Sequence, residues 1–191
     1  IVEHALAVGY RHIDTAALYE NEREVGRAVR ASGVPREQVF VTTKLWNDRQ
    51  RDVRAAFDES LEKLGFDYVD LYLVHWPVPA QDTYVEAWRS LIELREEGLT
   101  RSIGVSNFEA EHLDRVIAEG VTPAVNQVEI HPTFAQFALV DANEARGVAT
   151  QAWRPLGHGD DLDNPTIAGI AEATGKTPAQ VVLRWHLQRG V

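Results

Sequence analysis

The feature that most constrains this chain is an unbroken alternation of short β-branched runs and amphipathic stretches. Ile1–Val8 reads as the end of a helix closed by Gly9, and Arg11–Thr15 as a strand. A helix over Glu22–Arg30, with Val25 and Val29 one turn apart, leads to a strand at Val39–Thr43. The pattern then repeats four times. Helix Val53–Leu64 precedes strand Val69–Val74, helix Tyr84–Glu97 precedes Ile103–Val105, helix Ala110–Glu119 precedes Ala124–Ile130, and helix Leu139–Arg146 precedes Val148–Trp153. Two further helices follow, Ile167–Ala173 and Pro178–Gln188, the second with Thr177 as N-cap and Pro178 in its first turn.

Strands separated by single helices pair in parallel through right-handed crossovers. Six strands are legible, with a helix before the first and helices after the last, so one more strand is expected beyond each. That makes eight and predicts an α/β fold, the (β/α)8 barrel, with its first and eighth strands missing from this chain. The chain contains no methionine, opens inside a helical run and stops just after Arg189-Gly190. Both ends read as cut, and residues 1–191 as one incomplete barrel domain. The rival doubly wound sheet carries a glycine-rich phosphate turn after its first strand, and no Gly-x-Gly-x-x-Gly occurs here.

Composition removes whole classes of function. The formal net charge is −10, which argues against nucleic acid or an anionic membrane as partner, because phosphate neutralisation needs clustered Lys and Arg. No apolar run approaches the roughly 20 residues that cross a bilayer. The absence of cysteine excludes disulfide frameworks, thiolate nucleophiles and cysteine-held metals, and fits a cytoplasmic protein. Oligomeric state is left open.

In such a barrel the working residues sit where each strand hands over to its loop. Those positions carry Asp14, Lys44, His75, Asn107, Gln127 and Trp153, the first four spaced by about the 30 residues of one βα unit. Tyr19, in the loop after Asp14, can lean over the same rim. Taken singly, Asp14 is a helix cap, Lys44 a solvated strand end and His75 a core histidine. Together they define a chemistry. The Lys44 ammonium is expected to lower the Tyr19 pKa while Asp14 holds the lysine in place. A neutral His75 can donate to a carbonyl oxygen that is becoming negative. The histidines are too scattered for a metal site, and no nucleophile stands beside an activating base.

Longer motifs carry a resemblance. Gly9-Tyr10-Arg11-His12-Ile13-Asp14-Thr15-Ala16 with Tyr19-Glu20-Asn21-Glu22, and the stretch Leu91–Phe108 ending in Ser106-Asn107-Phe108, resemble two signatures of the aldo-keto reductases. Val41–Trp46 and Leu73–Pro77 resemble the strand ends between them. Trp76-Pro77, Pro155-Leu156-Gly157 and Gly175–Gln180 most resemble the bacterial 2,5-diketogluconate reductase type.

The resemblance implies hydride transfer from NAD(P)H to an aldehyde or ketone, a small-molecule carbonyl substrate. Tyr19 would be the proton donor, tuned by Lys44 and Asp14, with His75 orienting the carbonyl. Ser106, Asn107 and Gln127 would hold the nicotinamide carboxamide, Trp153 would stack on its ring, and Pro155, Leu156 and Gly157 would lie near the pyrophosphate. Trp46 and Trp76, with His75, would wall the substrate pocket. NADP(H) is expected from family habit and NAD(H) stays open, because the signature that holds the adenosine phosphate is absent. Arg154 stands where a small residue is usual; it either adds a phosphate contact or points to solvent, the second being expected. Two other chemistries stay in view: a barrel lyase or aldolase with Lys44 as Schiff base, and a non-catalytic cofactor-binding module.

The remaining polar and aromatic residues receive structural readings. Glu129 and His131-Pro132 end the strand after Gln127 and are structural or back the site residues from behind. His12, His158 and His186 are solvated or core residues, Trp88 and Trp185 pack in the outer layer, and Asp70 meets a helix terminus or a basic side chain.

Overall fold

A computed structural model describes residues 1–191. Its helices are α1 (Val2–Ala7), α2 (Glu22–Ala31), α3 (Val53–Leu64), α4 (Tyr84–Glu96), α5 (Ala110–Ile117), α6 (Phe137–Glu144), α7 (Pro165–Thr174) and α8 (Pro178–Gln188). Its strands are β1 (His12–Asp14), β2 (Phe40–Leu45), β3 (Val69–Val74), β4 (Thr100–Ser106), β5 (Val125–Glu129) and β6 (Ala149–Trp153). They form one parallel sheet in sequence order, with β1 and β6 at its edges. None of the helices is long and apolar enough to cross a membrane.

The sheet is curled rather than flat. Leu71 and Leu73 of β3 cluster with Val125 of β5 on the concave side. Gly104, on the strand between them, leaves no room for a side chain: a Cβ there would fall 2.7 Å from the Val125 carbonyl oxygen and 2.9 Å from Leu73. The convex side carries the main core, where Val41, Leu45, Tyr72, Val74, Ile103 and Val105 meet Phe57, Trp88, Leu91 and Leu94 of the helices. Trp88 thus packs between helix and sheet, as expected of it. Each such burial stabilises by about 1.5–3 kcal/mol relative to an exposed side chain.

Local sequence accounts for the helices. In α3 the buried positions Val53, Ala56, Phe57, Ser60 and Leu64 lie on one stripe, and Gly65 ends the helix in the left-handed conformation at φ +67°. At α8 the Thr177 hydroxyl accepts from the Gln180 amide, and the Gln180 side chain returns the favour to the Thr177 N–H. Helix α7 starts earlier than the periodicity indicates, because Asn164 caps it and Pro165 takes its first turn.

β4 also starts earlier than the apolar run Ile103–Val105, at Thr100. Its first residues are polar because Arg101 reaches Asp70 of β3 at 2.9 Å. Asp70 is buried at the strand end remote from His75 and also takes Arg36 at 2.8 Å and the Val41 N–H at 2.9 Å. A charge inside an apolar strand is thereby fully partnered.

Candidate active site

Successive parallel strands deliver their C-terminal residues to one rim. β1 ends at Asp14, β2 carries Lys44, and His75 directly follows β3. Ser106 ends β4, Gln127 lies in β5, and Trp153 ends β6. Tyr19 closes a short 3-10 turn, Ala17–Tyr19, after β1. No sequence pattern marks this turn. It is pinned at its base, where the Thr15 hydroxyl donates to Asn21 Oδ1 at 2.6 Å, and at its exit, where Thr43 donates to the buried Glu22 at 2.6 Å.

The Lys44 side chain has no exposed surface, whereas that of Asp14 is 32% exposed. Lys44 Nζ donates to Asp14 Oδ1 and, at 2.9 Å, to the Thr15 carbonyl. Burial pushes the lysine pKa down, and Asp14 opposes that shift. Nζ also lies 5.1 Å from the centre of the Tyr19 ring. One expectation is overturned here: the Tyr19 pKa is raised, by burial first and by the Asp14 charge second. The lysine charge is matched by its carboxylate neighbour, so desolvation of the phenol decides the direction.

The His75 and Tyr19 rings meet edge to face with centroids 6.0 Å apart, and Trp46 meets His75 at 5.1 Å. Burial and then the Lys44 charge push the His75 pKa down to about 4, so its imidazole is neutral at neutral pH.

Asn107 adopts φ +63°, a left-handed conformation that Asn tolerates better than most residues. Its Nδ2 donates to the His75 carbonyl and to Ser106 Oγ, both at 3.0 Å. Its Oδ1 accepts from Trp153 Nε1 at 2.9 Å, which sets the indole plane. Gln127 gives one N–H to Asp14 at 2.9 Å and the other to Gln151 at 3.1 Å.

These residues enclose a cavity of about 290 Å³ lined by Tyr19, His75, Trp76, Ser106, Asn107, Gln127, Trp153 and Arg154. An indole face, side-chain amides and a hydroxyl give the cavity one flat apolar surface and a polar edge. Residues placed on four different strands by sequence thus converge on a single cavity. Trp46 touches it only through His75. Pro155, Leu156 and Gly157 run beside it rather than lining it, and Gly157, at φ +55°, packs where a Cβ would meet Asp161 and His131. His131 Nδ1 lies 2.9 Å from Asp161 Oδ2 and fastens the segment after β6, while Glu129 Oε1 accepts from Arg154 of the cavity wall at 3.4 Å. His12 pairs with Thr42 and His186 with the Pro155 carbonyl.

Two features escaped the sequence reading. Arg154 is exposed, as expected, but its side chain also forms part of the cavity wall. The loop carrying Trp76 is braced by buried Gln50, which donates to the Trp76 carbonyl at 2.7 Å and accepts from Thr83 at 2.5 Å. No sequence pattern marks either.

Comparison with known proteins places this geometry. A family model described as the aldo/keto reductase family matches residues 1–160. An aldo-keto reductase of Mycolicibacterium smegmatis is 57% identical over 192 residues, covering 99% of this chain and 70% of that protein. Methylglyoxal reductase DkgA of Escherichia coli is 52% identical over 193 residues, covering 100% of this chain and 70% of the relative. A crystal structure of a Gox0644 mutant in complex with NADPH superposes with a TM-score of 0.94 at 49% identity, covering 100% of this chain and 70% of that one.

Proposed function

The chain belongs to the aldo/keto reductase family, and from that premise we propose that it reduces an aldehyde or ketone with NADP(H), Tyr19 giving the proton. The dinucleotide, when bound, supplies hydride to the carbonyl carbon. Ser106, Asn107 and Gln127 would hold its carboxamide and Trp153 its ring, with Pro155, Leu156 and Gly157 beside its phosphates. The NADPH of the Gox0644 neighbour supports this choice of cofactor.

The chain's own residues then handle the oxygen. Neutral His75 donates a ring N–H to the carbonyl, polarising it and fixing its direction. The Tyr19 hydroxyl, kept protonated by its raised pKa, delivers its proton as negative charge grows on the oxygen. Lys44, 5.1 Å from the ring, stabilises the phenolate left behind, and Asp14 keeps that ammonium charged and still. Trp76 supplies an apolar wall, and Trp46 packs against His75. The observation that carries the reading is the meeting of the Tyr19 and His75 rings in one cavity with Lys44 buried behind them. A Schiff-base role for Lys44 finds no support, since a fully buried, carboxylate-bound amine offers no free nucleophile.

Residues 1–191 are read as one unit of a (β/α)8 barrel. Six parallel strands in sequence order, curled and with unpaired edges at β1 and β6, support closure by two further strands.

The experiment is Tyr19→Phe in the full-length protein, with methylglyoxal as carbonyl and NADPH oxidation as readout. Turnover is expected to fall by about 10²–10⁴-fold while NADPH binding persists. Wild-type turnover in the variant would remove Tyr19 from the reaction.

A further inference from the structure

Arg154 is the one residue of the cavity wall whose chemistry the reductase reading leaves unused. Its backbone is left-handed, φ +51°, a conformation that glycine adopts freely and a residue with a Cβ does not. Strain of this kind persists where the surroundings impose it. Here it delivers a guanidinium onto the Trp153 indole, 5.1 Å from the ring centroid. Contact with the ring face uses the charge of the guanidinium but none of its N–H donors.

Those donors are barely used. Of the five N–H donors of an arginine, Arg154 commits one, in a long 3.4 Å hydrogen bond to Glu129 Oε1. Other arginines of this surface are held tightly: Arg89 grips Glu119 at 2.6 and 2.9 Å, and Arg146 grips Asp114 at 2.7 and 2.9 Å. The Arg154 side chain is 47% exposed. The other cation near the cavity, Lys44, is inaccessible and matched by Asp14. Arg154 is therefore the accessible positive charge lining the reaction cavity, paired only at 3.4 Å with Glu129, and an anionic ligand entering the cavity competes with that one carboxylate for its remaining donors.

We propose that Arg154 is an oxyanion-binding residue at the mouth of the Tyr19–His75 cavity, holding a carboxylate or phosphate group through its free N–H edge. Two ligands carry that group. A carboxylate on the carbonyl substrate makes Arg154 a specificity residue. A phosphate of the dinucleotide makes it a cofactor contact. The identity of these ligands rests on the reductase reading, but the binding of an oxyanion does not.

The test uses the full-length protein, Arg154→Gln, and Arg154→Lys. Inorganic pyrophosphate and succinate are titrated by calorimetry without turnover, NADPH affinity is measured directly, and kcat/KM is compared for succinic semialdehyde and butanal, which differ in the carboxylate. Wild type is expected to bind at least one anion, and Arg154→Gln to bind it about tenfold more weakly. Lysine restores part of the loss, because it keeps the charge without the fork. If the substrate carboxylate is the ligand, Arg154→Gln loses its preference for succinic semialdehyde while NADPH affinity holds. If the phosphate is the ligand, NADPH affinity falls and both aldehydes suffer alike. Identical anion, NADPH and aldehyde behaviour in wild type and Arg154→Gln overturns the proposal. Binding of a probe through Arg154 without reduction of either aldehyde supports this site and overturns the reductase reading instead.

Discussion

Gln127 Nε2 donates to Asp14 Oδ2 at 2.9 Å across 113 residues of sequence, joining the fifth strand to the first. In a flat sheet, four strand spacings would hold the two residues about 19 Å apart, so this bond exists only because the sheet curls. Replacing Gln127 with Leu removes a hydrogen bond to a charged group and is expected to lower stability by about 1.5–3 kcal/mol. Urea unfolding measures it; a midpoint equal to wild type would mean that the curl is held elsewhere.

The ion pair behind the cavity is asymmetric, and its two ends should fail differently. Asp14→Asn strands an ammonium with no exposed surface, at a cost of about 3–5 kcal/mol. Lys44→Met leaves a carboxylate that is 32% exposed and still bonded to Gln127, and costs less. Thermal unfolding of both variants gives the order, and a larger loss for Lys44→Met would contradict the burial argument.

His75 makes stability depend on pH in a definite window. In the unfolded chain it takes a proton near its ordinary value of about 6.5, whereas in the native state it does so only at about 4. As pH falls between these values the unfolded state binds a proton that the native state refuses, so stability declines and then levels off below about 4. Unfolding free energies of wild type and His75→Gln should converge as pH is lowered through this window. A constant difference between them would show that His75 titrates normally.

Asp70 serves the opposite end of the sheet. Asp70→Asn leaves Arg36 and Arg101 without their carboxylate, but both guanidiniums are partly exposed, so the expected cost is about 1.5–3 kcal/mol, that of a lost hydrogen bond to a charged group. The kcat/KM of the folded fraction should stay at the wild-type value, because the residue lies at the strand end remote from His75. A selective loss of kcat with stability intact would place Asp70 in the reaction and refute this assignment.

Much of the fold was legible because each element has its own period. β3 is buried along its whole length and reads as an apolar run. α3 and α4 each show an apolar stripe on one face. Where the reading fell short, a tertiary partner had changed what a strand needs. β4 begins at Thr100 rather than Ile103 because the polar side chain of Arg101 is satisfied by Asp70. The 3-10 turn carrying Tyr19 left no trace in sequence, since its pins are side-chain pairs, Asn21 with Thr15 at the turn's base and Glu22 with Thr43 on β2, that no periodicity encodes.

By itself the sequence determined that strands and helices alternate, and hence that Asp14, Lys44, His75, Asn107 and Gln127 leave a parallel sheet on the same rim. That follows from a repeat length, which is a local property. Only the tertiary structure decided what those residues do to one another: that Gln127 spans the trough to Asp14, that burial raises rather than lowers the Tyr19 pKa, and that Arg154 stacks into the cavity wall. Desolvation, charge pairing and stacking depend on distances between strands far apart in sequence, and no spacing along a chain encodes them.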